Sequence, residues 1–348
     1  MNRNCLLNLG LVLILLISLV LPVNSATTII TLNGAGATFP YPIYSKWFDD
    51  YNKIKSEVQI NYQSIGSGGG IRQILERTVD FGATDGPMND EQLAKSNGKL
   101  LHIPTVLGAV VPVFNITGVK SLSLSEKALA GIYLGKINKW NDEEIQKNNL
   151  SAKLPNLPIT VVHRSDGSGT TYCFVDYLSK VSSEWKEKVG LGTSVNWPVG
   201  LGSKGNEGVS GLIKQTPNSI GYVELIYAQQ NKLPYAAVQN ASGKFIKASL
   251  ETVTEAARGS ASTMPKDFRV SITNSPGENT YPISTYTWLL IYKNMPGKKG
   301  EILKSFLIWM LSEGQKVAPT LGYASLPTEV ISMVKKTVEG ISTTDLKV

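Results

Sequence analysis

Arg164-Ser165-Asp166-Gly167-Ser168-Gly169-Thr170-Thr171 is a run of small hydroxyl and glycine residues, headed by a base and broken by an acid. Before it lies Ile159-Thr160-Val161-Val162, rich in β-branched side chains. After it, Tyr172-Cys173-Phe174-Val175-Asp176-Tyr177-Leu178 has an apolar spacing that suits a helix. A strand, a glycine-hydroxyl turn and a helix start together make a place for an anion. Glycine lets backbone come close, the first helical N–H groups lack internal partners, and the helix dipole favours negative charge. Arg164 adds a planar fork of donors matched to phosphate or carboxylate oxygens. Taken alone, such a loop serves equally well as an ordinary helix cap, so the rest of the chain decides.

The same pattern stands twice nearer the start. After the short strand Ile29-Ile30-Thr31-Leu32, Asn33-Gly34-Ala35-Gly36-Ala37-Thr38 predicts a turn, and Phe39-Pro40-Tyr41-Pro42 opens a helix with Ile43, Trp47, Phe48, Tyr51 and Ile54 on one face. Thr38 then sits beside free backbone donors. Val58-Gln59-Ile60-Asn61-Tyr62 alternates like a strand, Ser64 to Gly70 reads as a flexible turn, and Ile71, Ile74 and Leu75 mark a helix face, which puts Ser67 where Thr38 and Ser168 stand. A fourth glycine-rich loop, Val199 to Gly208, precedes a helix at Val209 to Lys214, so a fourth N-terminus is expected to face the ligand; Lys204 within it fits a solvated loop lysine better than a ligand. Neither the dinucleotide fingerprint nor the phosphate-loop lysine is present, because Phe39 takes the place of the third glycine and no Gly-Lys-Ser/Thr follows any turn. Nucleotide hydrolysis is therefore excluded as an expectation.

Val79-Asp80-Phe81-Gly82-Ala83-Thr84-Asp85 reads as a strand that ends on an acid, at the edge where ligands collect in open α/β sheets. Before Gly86-Pro87, an Asx turn is the plainer role for it. As a ligand, a carboxylate only accepts hydrogen bonds, so it suits an oxyanion that still carries a proton and repels one that does not.

Composition narrows the classes. Met1 to Asn4 carries one positive charge, Leu6 to Leu21 is almost wholly apolar, and Pro22-Val23-Asn24-Ser25 ends in compact residues. The pattern predicts a cleaved leader over residues 1–25 and an exported chain, although the apolar run has the length of a membrane anchor. Only Cys173 then remains of the two cysteines, which excludes an intramolecular disulfide, and two histidines, His102 and His163, make a metal site of His and Cys an unfit expectation. No metal and no cofactor is predicted. The net charge of +7 from 34 basic and 27 acidic residues helps gather anions, while export and the lack of basic runs interleaved with aromatics argue against nucleic acid.

Strands alternating with helices predict an α/β fold, and removing 25 of 348 residues leaves about 323, which suits two domains. Val106 to Phe114 and Trp288 to Tyr292 are apolar runs typical of buried strands; they read as crossovers between the two. Glu126 to Tyr133 forms a short helix, Asn141 caps another through Glu144, Trp185 to Val189 continues helically, and Ile220 to Val223 is a strand. Trp140 reads as core, a helix spans Ile302 to Met310, another follows Pro327, and the polar region Asn231 to Thr280 predicts little.

Gly34 to Pro40, Ile65 to Gly70, Val79 to Asp85 and Arg164 to Thr170 together resemble, in order and spacing, the periplasmic phosphate-binding proteins of ABC transporters. Ile132 to Ile137, Trp197 to Gly202 and Ile220 to Val223 extend the likeness over nearly the whole chain after the leader. The resemblance implies a two-lobed periplasmic-binding-protein fold of type II, each lobe a mainly parallel sheet flanked by helices, with two crossover strands as hinge. It implies lobes of 26–105 plus 283–348 and of 106–282. It places phosphate ligands on Thr38, the Phe39 N–H, Ser67, Asp85, Arg164, Ser168, the Gly169 N–H and Thr170, with Asp166 holding the arginine. Gly68 stands where a serine is often found, and His163 replaces a basic neighbour of Arg164. The expected protein is periplasmic, binds inorganic phosphate without catalysis, and is a monomer until it docks on inner-membrane permease subunits served by a cytoplasmic ATPase. Two alternatives remain: an exported scavenger without a transporter, and a phosphate-ester hydrolase using Ser168, His163 and Asp166. The hydrolase lacks the flanking glycines of a nucleophile elbow, since Asp166 and Thr170 stand there.

Overall fold

The computed structural model describes residues 28–344; the expected leader lies outside them. In chain order the elements are β1 (Ile30–Gly36), α1 (Tyr41–Ile54), β2 (Val58–Ser64), α2 (Ser67–Leu75), β3 (Phe81–Thr84), α3 (Asp90–Ala94) and β4 (Leu100–Asn115). There follow β5 (Ser123–Leu124), α4 (Glu126–Tyr133), α5 (Glu143–Gln146), β6 (Thr160–Arg164), α6 (Gly169–Val181), α7 (Ser183–Lys188), β7 (Leu201–Ser203) and α8 (Gly205–Gln215). After β8 (Ser219–Glu224) come α9 (Leu225–Gln230), β9 (Ala237–Gln239), β10 (Phe245–Ile246), α10 (Leu250–Arg258), β11 (Ser284–Tyr292) and α11 (Lys298–Trp309), with a last helix at Thr328–Glu339.

One eight-stranded sheet runs β2-β1-β3-β11-β4-β8-β6-β7. Its two ends are parallel: β1 pairs in parallel with β2 and β3, and β6 with β8 and β7. The middle is antiparallel, where β11 pairs with β3 and β4, and β4 with β8. Every residue of β11 and nearly every one of β4 is buried, as expected for apolar strands covered on both faces. These are the two predicted crossing strands, and β4 is longer than its apolar run because Leu100 to Pro104 pairs with β11 as well. A smaller sheet, β10-β9-β5, lies apart.

Three local expectations need correcting. Asn33 to Gly36 continues β1 instead of turning. Gly34 is there for room, since a Cβ on it would lie 2.1 Å from the Phe81 ring. Ser67 to Gly70 is the first turn of α2 and not a flexible linker, and Gly70 lets that helix approach β1, its would-be Cβ lying 2.5 Å from Gly36 Cα. The cap of α5 is Asp142, whose Oδ1 accepts from the Glu144 N–H at 2.9 Å, one residue later than Asn141. Trp140 is core, with Nε1 donating to the Asn218 carbonyl. The quiet polar stretch from Asn231 to Thr280 holds β9, β10 and α10 and buries Phe268, whose carbonyl accepts from Trp288 Nε1 at 2.9 Å.

Candidate functional site

Four helix N-termini meet where the parallel strands end. Thr38 follows β1 and precedes α1, Ser67 opens α2, Ser168 caps α6, and Gly205 opens α8. Each turn is short because its strand and helix are adjacent in the chain, so the first N–H groups of the helices point back at the strand ends. Thr38, Phe39, Ser67, Asp85, Arg164, Ser168 and Thr170 are all buried; Asn206 links Thr38 to Thr170 and so to Arg164, and Ser67 links the Gly169 and Asp85 N–H groups.

Arg164, at the end of β6, is held in a fork. Its Nε and Nη2 donate to Asp166 Oδ1 and Oδ2 at 2.7 and 2.6 Å, and its side chain is 1 % exposed. The remaining Nη1 turns toward Thr170 Oγ1 at 3.4 Å. Burial works against the charge of Asp166, yet the guanidinium and the Gly205 N–H outweigh it and hold its carboxyl below the usual range. A buried arginine so paired keeps its charge and its direction at once.

Ser67 Oγ reaches across from α2. It accepts from the Gly169 N–H at 2.9 Å and from the Asp85 N–H at 3.3 Å. Gly169 is required by this approach, because a Cβ there would come within 2.6 Å of Asp85 and of Ser67 Oγ. Its N–H, implied as a ligand donor, is here taken by Ser67. Ser168 Oγ accepts from the Thr171 N–H at 3.0 Å as the cap of α6. The Phe39 ring is core, and its carbonyl accepts from Tyr323 Oη.

Asp85 follows β3. Its Oδ1 accepts from Thr287 Oγ1 of β11 at 2.9 Å, while its Oδ2 is buried and without a hydrogen-bond partner among the described residues. Burial pushes its pKa up to about 7, against the pull of the Thr287 hydrogen bond and of Arg164. Thr287 is set by a bulge: β4 slips register between Thr287↔Val106 and Trp288↔Pro104, and the displaced Thr105 donates its hydroxyl to the Thr287 carbonyl at 3.1 Å. Sequence reasoning missed Thr287, although Ser284, Thr285 and Thr287 are polar notes in an otherwise apolar strand.

The fourth helix does not present its N–H groups to a ligand as expected. The Gly205 N–H donates to Asp166 Oδ1 at 3.1 Å and the Asn206 N–H to Thr38 Oγ1 at 3.3 Å. This helix holds site residues in place. Sequence reasoning missed Asn206, while Lys204, read as a solvated loop lysine, is exposed at the N-cap. Behind it, Glu224 is fully buried, with its pKa raised by burial and by the nearby Asp85 charge, and its Oε1 is unpartnered among the described residues. Two buried carboxylate oxygens, Asp85 Oδ2 and Glu224 Oε1, thus lack partners among the described residues, and Asp85 is the one that follows a strand end beside Ser67 and Arg164. A charged guanidinium near a free carboxylate acceptor suits a small oxyanion that still carries a proton.

A family model described as a PBP superfamily domain matches residues 22–314. The chain is 47 % identical over 310 residues to the phosphate-binding protein PstS of Pasteurella multocida, covering 88 % of this chain and 89 % of that one. It is 46 % identical to the protein of that name from Haemophilus influenzae, over 88 % of this chain and 91 % of the other. Among solved structures, a phosphate-binding protein from Stenotrophomonas maltophilia superposes with a TM-score of 0.67 at 20 % identity, covering 88 % of this chain and 93 % of that chain; at that identity the likeness is one of fold.

Proposed function

The chain belongs to the periplasmic-binding-protein superfamily and, within it, to the phosphate-binding proteins of the PstS family, and from that premise we propose that its buried cluster binds inorganic phosphate for import. The observation that carries the proposal is Asp85 Oδ2, a buried acceptor without a partner among the described residues, on a carboxyl that feels the Arg164 charge. Hydrogen phosphate offers it a proton; sulfate offers none. Thr38, the Phe39 N–H, Ser67, Arg164, Ser168, the Gly169 N–H and Thr170 supply the donors, and the Gly169 N–H and Ser67 Oγ exchange their mutual bond for bonds to the anion. Asp166 orients Arg164. The protein is exported, works in the periplasm as a monomer, and hands phosphate to the permease subunits of an ABC transporter. Its lobes are 26–105 plus 283–348 and 106–282, closing by a hinge motion because donors from both converge on one anion.

Binding without catalysis is supported by the engagement of the residues a hydrolase would use. Ser168 Oγ caps α6, and His163 stacks on Trp197 with its Nδ1 3.0 Å from the Arg164 carbonyl. The test is calorimetric titration of the wild type and Asp85→Asn with phosphate and sulfate. The wild type binds phosphate and rejects sulfate, and the variant narrows that difference by at least about tenfold, the size of a buried acceptor's contribution. Unchanged selectivity would dismiss Asp85 as the discriminating group.

A further inference from the structure

Asn206 makes no claim on the ligand by sequence, yet it is fully buried between the two halves of the site. Its Nδ2 donates to Thr38 Oγ1 at 2.7 Å and to Thr170 Oγ1 at 3.2 Å, so each of the two amide hydrogens has its own hydroxyl. Its Oδ1 accepts from the Glu224 N–H at 2.9 Å. That backbone donor decides the orientation of the amide. Turned over, the NH₂ group would face the Glu224 N–H, and the oxygen would face the two threonines.

The consequence lies in the hydrogens of the threonines. A hydroxyl has one proton and two acceptor sites. Thr38 Oγ1 receives Asn206 Nδ2 and, at 3.3 Å, the Asn206 N–H. Thr170 Oγ1 receives Asn206 Nδ2 and, at 3.4 Å, Arg164 Nη1. Both hydroxyls have their acceptor sites filled, and each must direct its own proton elsewhere.

We propose that Asn206 is a positioning residue that forces Thr38 and Thr170 to act as donors, so that neither threonine competes with Asp85 for the ligand's proton. The inference rests on the reading of the cluster as a phosphate site and assigns the polarity of its two threonines to a residue outside the ligand set. One amide thereby serves both sides of the site, since Thr38 follows β1 and Thr170 lies in α6.

The test is a double-mutant cycle on the full mature chain, with phosphate as the probe. Asn206→Ala is measured in the wild type and in a Thr38→Val/Thr170→Val background, by calorimetry, with thermal unfolding in phosphate-free buffer as a check of folding. Acting through the hydroxyls, Asn206→Ala weakens binding on the order of 10- to 100-fold in the wild type and by less than about threefold once the hydroxyls are gone. A purely structural asparagine costs the same in both backgrounds, and that result overturns the proposal. Asn206→Asp is the second arm, decisive if the alanine variant does not fold. It keeps the volume and the acceptor for Glu224 but turns two donors into an acceptor for the threonine protons. It should bind phosphate more weakly than Asn206→Ala where both fold, and in any case far more weakly than the wild type; wild-type affinity in it refutes the role. A wild type that binds no phosphate removes the phosphate reading itself, whereas a binding wild type with indifferent Asn206 variants removes this inference alone.

Discussion

Asp85 is the residue whose chemistry depends most on folding. Its carboxyl moves from 3.8 up to about 7 because burial disfavours the charge, with Thr287 and Arg164 recovering only part. Between those values the folded chain holds a proton that the unfolded chain has released. Stability therefore falls as pH rises through that window, and the full penalty stands above it. Glu224, pushed up first by burial and then by the Asp85 charge, adds a slope of the same sign. In phosphate-free buffer, Asp85→Asn should flatten the decline between about pH 4 and about pH 8 without abolishing it. At the upper end it should gain roughly 2–4 kcal/mol, at ~1.36 kcal/mol per pKa unit. Chemical denaturation at both pH values measures this, and an unaltered slope would move the titration to another group. Asp85 was readable from the chain as an acceptor at a strand end. Its orphaned oxygen was not, because that depends on which partners β11 brings.

At the scale of elements, the helix starts have two duties that mutation can separate. Ser168 caps α6 through the Thr171 N–H, and Ser182 caps α7 through the Trp185 N–H at 3.2 Å. The capping chemistry is alike, but only Ser168 belongs to the buried cluster. Each serine-to-alanine change should cost about 1 kcal/mol of stability as a lost N-cap. Only Ser168→Ala should also weaken phosphate binding, and by at least about fivefold for a lost hydrogen-bond donor. Equal affinities in the two variants would reduce Ser168 to a cap. The glycine-hydroxyl turns before α2, α6 and α8 were visible as punctuation between strand and helix patterns. Their lengths were not, since Gly34 and Gly70 serve close packing against Phe81 and Gly36, and a glycine needed for space looks the same in sequence as one needed for a turn.

For the whole molecule, β11 and β4 are the strands that join the two parallel ends of the described sheet, so the proposed hinge motion would tilt one end against the other about them. Contacts across the site oppose that tilt. The Gly68 N–H donates to the Gly167 carbonyl at 2.9 Å, and Tyr227 Oη to the Thr38 carbonyl at 2.6 Å. Gly66 lies at the same seam with φ of 88°, and a Cβ on it would stand 2.4 Å from Asp166 Oδ2 and 2.6 Å from the Gly167 carbonyl. Gly66→Ala should therefore hold the seam apart. The clash across the seam, at ~1–3 kcal/mol for an overpacked methyl, weakens phosphate binding by roughly 5- to 150-fold. Small-angle scattering with saturating phosphate should give a larger radius for the variant than for the wild type. Wild-type affinity and radius would show that Gly66 does not set the closure.

The alternation of strands with helices, the two apolar crossing strands, and the positions of Thr38, Ser67, Asp85 and Arg164 to Thr170 were all determined locally. Periodicity, glycine punctuation and charge act within a few residues of chain. What only the tertiary structure decided is how distant groups share hydrogens. Thr287 reaches Asp85 across 202 residues of chain and Asn206 reaches Thr38 across 168. Those pairings follow from sheet order, a bulge at Thr105 and the direction of one amide. A hydroxyl's polarity is set by its neighbours in space, so the sequence names the donors and the fold makes them donate.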